Sequence, residues 1–116
     1  MGLSSPADRP SPLAELQLSQ APQIEAALAA LLRGLATQVS AADASLRLDD
    51  GVHIHLVGAA PDRWPESAPG RPIHLDGRVA GRLCVLAPAR GPEPALEDAT
   101  RLAEALLETR LREQRL

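Results

Sequence analysis

An α+β fold is predicted, with a single antiparallel sheet of about four strands and N- and C-terminal helices packed on one of its faces. Three features predict it. Apolar residues between Pro22 and Ser40 recur at helical spacing, and those between Ser45 and Leu86 alternate in two pairs of runs around Asp-Gly turns. From Leu96 onward helical spacing returns. With 116 residues and a mass of 12.2 kDa, the chain has room for one such domain.

The first twenty residues read as an N-terminal tail. Pro6, Pro10 and Pro12 stand among Ser, Asp and Arg, a composition that buries little and predicts flexibility. Within it, Ser11-Pro12 can cap a short helical turn through Leu13, Leu16 and Gln17. The domain itself is expected over 21–116. Pro22 suits the first turn of a helix, and Ile24, Leu28, Leu31, Leu32, Leu35 and Val39 share one face of it. Ala at 26, 27, 29, 30 and 36 adds helical propensity, and the helix should end near Ser40.

The period then changes to two. Ser45–Leu48 and Val52–Val57 alternate around Asp49-Asp50-Gly51, and the grammar repeats with Pro72–Leu75, Asp76-Gly77 and Arg78–Ala87. Gly supplies the positive φ that hairpin turns require. Residues 59–71, with Pro61, Pro65, Pro69 and Gly70, read as a loop, in which Trp64 would close a sheet edge or face as an apolar lid. Gly91-Pro92-Glu93-Pro94 ends the last strand and opens the terminal helix. Glu93, Glu97 and Asp98 lie near its start and Arg110, Arg112 and Arg115 at its end, as the helix dipole favours.

Alternation separates the two sheet faces. The expected core face collects Leu46, Leu48, Val52, Ile54, Leu56, Ile73, Leu75, Val79, Leu83 and Val85, matching the apolar stripes of both helices. The opposite face collects Ser45, Val57, Ala80, Cys84 and Leu86 together with Arg47, His53, His55, His74, Arg78 and Arg82. Those six cationic or titratable residues are the candidate ligand or partner face. Arg forks hold carboxylate and phosphate, and His gains charge as pH falls, so a small anionic ligand or an acidic partner would suit it.

Composition excludes several chemistries. All twelve basic residues are Arg, and Lys, Asn, Phe and Tyr are absent, which their AT-rich codons make a mark of a GC-rich, bacterial genome. No Schiff-base or P-loop lysine, tyrosine acid or aromatic platform for stacked bases is available. A net charge of −3 argues against nucleic acid. Lone Cys84 offers neither a disulfide nor a CxxC pair, and inside an apolar strand it reads as a buried thiol. His53, His55, His74 and Cys84 could meet on one face, but flanking Arg opposes a cation, so no metal and no cofactor is expected. Neither a signal peptide nor an apolar run long enough for a membrane is visible, so a cytoplasmic protein without membrane contact is expected.

Residues 22–116 resemble a short GAF domain, the small-molecule-sensing and dimerising module of bacterial signalling proteins. The likeness lies in Pro72-Ile-His-Leu-Asp-Gly-Arg-Val-Ala-Gly-Arg-Leu-Cys-Val-Leu86, in the closing helix from Leu96 to Leu107, and in Ala42-Asp43-Ala44-Ser45-Leu46 after the opening helix. It implies a GAF/PAS-like plan. Ligand-holding members cover the second sheet face with helices and a long insertion, where this chain has only the Pro-rich 59–71 interval. The resemblance therefore implies a non-enzymatic regulatory or interaction module with a reduced or absent ligand pocket, possible signalling-protein partners, and pairing through its first and last helices. Ala99, Leu102, Leu106 and Thr109 form the candidate dimer stripe. A roadblock- or profilin-like plan has the same helix–sheet–helix order, but needs a helix between the hairpins where Pro61, Pro65 and Pro69 stand.

Overall fold

The computed structural model describes residues 12–58 and 68–116. Its elements are α1 (Pro12–Leu16), a single 3₁₀ turn (Leu18–Gln20), α2 (Pro22–Gln38), β1 (Asp43–Asp49), β2 (Ile54–Gly58), β3 (Gly70–Leu75), β4 (Arg78–Leu86) and α3 (Glu93–Arg115). The four strands form one antiparallel sheet in the order β2-β1-β4-β3, so the two hairpins meet along β1 and β4. The helices lie on one face, with α2 over β1 and β2 and α3 over β3.

Local chemistry accounts for the element ends. Pro22 and Pro94 occupy early helical positions, where an N–H would lack a helical partner. Asp76 and Gly77 both have positive φ, the two-residue turn that matches the twist of β3 and β4. At the centre of the sheet, a Cβ on Gly81 would meet the Arg47 carbonyl oxygen, so this glycine lets β1 and β4 approach.

Leu28, Leu32 and Leu35 of α2 and Leu96, Ala103, Leu107 and Leu111 of α3 pack on Leu46, Leu48, Ile73, Leu75, Leu83 and Val85. The segment expected as a tail contributes as well. Leu13, Leu16 and Leu18 are buried in the same core, and only residues 1–11 of that segment lie outside the described residues. Most of the expected 59–71 loop, with Trp64, also lies outside them. Ala68 and Pro69 are described, and Gly70 already belongs to β3.

Two strand segments carry the opposite face from the one expected. Leu46 and Leu48 point to the helices, and β2 pairs Val57 with Leu46 and His55 with Leu48. Val57 and His55 therefore turn inward, whereas Ile54 and Leu56 stand beside Asp49 and Arg47 on the outer face. The exposures agree: Val57 is 6% exposed, Leu56 48% and Ile54 57%. The cause lies in the turn. The Asp49 carboxylate accepts the Gly51 N–H, and the Asp50 carboxylate accepts the N–H groups of Val52 and His53. These side-chain bonds draw Val52 and His53 out of the ladder, leaving a four-residue connection and a strand of inverted facing.

The second inversion is a bulge. Ile73 faces Gly81 and His74 faces Val79, so Ala80 is the extra residue. Ala80 enters the core, and Val79, expected there, is exposed.

Candidate functional site

The six residues expected on one face separate into distinct places. Arg47 and Arg82 stay together, directly opposite each other on β1 and β4 and both exposed on the outer face. Arg47 Nη2 donates to Asp49 Oδ2 at 3.1 Å, and Arg82 Nη2 donates to the Ala68 carbonyl at 3.2 Å. Arg78 lies beside the β3–β4 turn opposite Leu75, where its charge adds to the Arg115 hydrogen bond that chiefly holds Asp76 ionised.

The three imidazoles do not share a site. His53 lies in the β1–β2 turn, its Nδ1 3.3 Å from Asp50 Oδ2. His55 turns toward α2, where Nε2 comes within 2.6 Å of Glu25 Oε1, a close approach without hydrogen-bond alignment. His74 sits on β3, its N–H donating to Glu104 Oε2 at 2.7 Å and its Nδ1 3.5 Å from the same oxygen. Cys84 is buried opposite Ser45, and burial pushes its thiol pKa up despite the nearby Arg82 charge. A raised thiol pKa disfavours the thiolate that a nucleophile needs. Among the described residues, no cluster of three or more His, Cys, Asp or Glu is placed to hold a metal ion.

The candidate dimer stripe lies in a more coherent setting. Ala99 and Leu102 line an open groove of about 480 Å³ between α2 and α3. The α2 wall is Ala27, Ala30, Leu31, Gly34, Leu35 and Gln38. Leu102 is 59% exposed, while Leu106 is half-buried against the core. Thr109 is exposed and returns its hydroxyl to the Ala105 carbonyl at 2.8 Å. The expected stripe thus divides, with its N-terminal half in the groove. The α2 residues opposite it were not among the candidates. Their signal is the recurrence of small or apolar residues at 27, 30, 31 and 34, a second helical face beside the core stripe.

A further groove of about 600 Å³ runs along the other flank of α2. Ala29, Arg33 and Ala36 meet Gly58 of β2 there, with Thr37, Ser40 and Asp43 at its end. No family model, curated protein or solved structure matches the chain. Among the described residues, no helix is long and apolar enough to cross a membrane.

Proposed function

We propose that this chain is a non-enzymatic, GAF-like regulatory module that acts through protein contact and pairs with a second copy through α2 and α3. The observation that carries this reading is the groove between those helices, with Ala27, Ala30 and Gly34 on one wall and Ala99 and Leu102 on the other. Small side chains let a second helix approach closely, and exposed Leu102 is an apolar knob for the equivalent groove of the partner copy. The buried Cys84 thiol and the dispersed histidines support a role without catalysis. Light scattering at tens of micromolar is expected to give species of dimer mass or larger, and Leu31→Glu with Leu102→Glu should abolish the helical contact. A wild-type chain that remains monomeric throughout would remove this reading.

A small anionic ligand on the outer sheet face is the second reading. Like charges directly opposite on neighbouring strands disfavour each other, and Arg47 and Arg82 stand in that relation with only Arg47 paired to an acid among the described residues. An anion between them would relieve the repulsion through charge-assisted hydrogen bonds. Phosphate or a dicarboxylate should then raise the Tm of the wild type but not of Arg47→Ala with Arg82→Ala. An equal response in both proteins would exclude this site.

A further inference from the structure

The two edges of the sheet are treated differently. On β3, Pro72 has no N–H, the His74 N–H donates to Glu104 at 2.7 Å, and the Asp76 N–H donates to Glu108 at 3.2 Å. Three alternate positions along this edge are therefore unavailable to another strand. The β2 edge has no such closure among the described residues. The Asp50 N–H donates to the His53 carbonyl across the turn, so the alternating bonded pairs fall at Leu48 with His55 and Leu46 with Val57. The N–H and C=O groups of Ile54 and Leu56 then point away from β1. The side chains of the same two residues stand exposed on the outer face.

We infer that β2 is a second self-association surface, which pairs antiparallel with β2 of another copy and joins two four-stranded sheets into one. With β3 closed, a head-to-tail β2-to-β3 contact is blocked, and the remaining self-pairing is isologous and closes on itself. Five residues of strand alone fall well short of the roughly 800 Å² per partner of a stable interface.

The adjoining flank of α2 supplies the rest. Each α2 covers two strands spaced about 4.8 Å apart, so pairing the edges brings the two α2 helices to roughly 10 Å, a normal helix packing distance. The residues on that flank recur every four positions as Glu25, Ala29 and Arg33. In an antiparallel pair Glu25 of one copy lies toward Arg33 of the other, and Ala29 lies toward Ala29. The flank is complementary to itself in charge and in size. On the outer face, Ile54 and Leu56 of both copies form one apolar cluster across the joint.

This surface is distinct from the α2–α3 groove, so the two are separable by mutation. Sedimentation velocity is run on the full chain carrying Leu31→Glu and Leu102→Glu, with and without Ile54→Lys and Leu56→Lys. The groove variant should still dimerise, and the added lysines should weaken that dimer on the order of tenfold or more. All four substitutions are at half-buried or exposed positions, and unchanged circular dichroism checks the fold. As a second arm, Arg33→Glu should weaken the dimer and Glu25→Arg added to it should restore association. A groove variant that is monomeric at every concentration overturns the proposal. So does a dimer indifferent to both the lysines and the charge exchange, and so does an edge that binds only another protein's strand.

Discussion

Glu104 of α3 and His74 of β3 are joined by a hydrogen bond from the strand's main-chain N–H to the helix carboxylate at 2.7 Å. One helical turn on, Glu108 takes the Asp76 N–H in the same way. A helix thus caps the edge of the sheet it packs against, and the i,i+4 spacing of the two acids matches alternate residues of the strand.

Removing the caps should convert a closed edge into an adhesive one. Glu104→Ala with Glu108→Ala exposes the two N–H groups to water, so the stability loss should be modest, about 1 kcal/mol. Self-association should change more. With both edges open, head-to-tail pairing becomes available, and in the Leu31→Glu, Leu102→Glu background sedimentation should show species that grow beyond the dimer with concentration. A size distribution identical to that background would count against the capping role.

The inverted facing of β2 predicts an unusual mutational contrast. Leu46→Ala removes a fully buried side chain and should cost about 2–5 kcal/mol. Val57→Ala, on the same face, should cost about 2 kcal/mol. Ile54→Ala, although one position from a histidine on an alternating strand, should cost under about 1 kcal/mol. Urea unfolding of the three variants reads this directly, and an Ile54 change as costly as Leu46 would contradict the register.

Acid should loosen a clamp at the end of α3. Arg115 donates to Glu15 of α1 and to Asp76 of the β3–β4 turn. Its hydrogen bonds hold both carboxyls below their ordinary pKa, against the opposing effect of desolvation. A depressed folded-state pKa contributes stability above the unfolded value and loses it as pH falls through the folded one. The clamp should therefore be fully effective above about pH 4–5 and fade below that range. Arg115→Gln should lower the Tm at pH 7 and converge with the wild type near pH 2, whereas a gap independent of pH would rule out this linkage.

Two glycine substitutions should act in opposite directions. An added Cβ at Gly34 meets nothing within 4 Å, so Gly34→Ala should raise stability by up to about 1 kcal/mol through helical propensity. At Gly81 the same change meets the Arg47 carbonyl oxygen and the Leu48 backbone, and should cost about 3 kcal/mol. Thermal unfolding measures both, and a neutral Gly81→Ala would mean that β1 and β4 part easily.

Much of this architecture is legible in local spacing. Pro22, the Leu28–Leu32–Leu35 stripe, the Asp76-Gly77 turn and the polarity of α3 each depend on residues within one or two turns of the chain. The candidate sites were less legible. Arg47 and Arg82 keep their expected face because β1 and the main part of β4 retain plain alternation. His53 and His55 lose theirs because the Asp50 carboxylate draws the His53 N–H out of the strand and displaces the ladder by an odd count. The partner of Leu102 could not be read from α3 alone, since Ala27, Ala30 and Gly34 come beside it only when α2 and α3 dock.

The sequence by itself determined an α+β chain with two hairpins between long helices, an Arg-only set of permanent cations and a lone thiol. Those properties follow from composition and from short-range backbone preferences. The tertiary structure alone decided which side chains of β2 meet the core, which edge of the sheet is capped and which helical flanks remain open. Strand register inverts with a one-residue slip, and an edge is capped only when a helix distant in sequence brings Glu104 and Glu108 beside it.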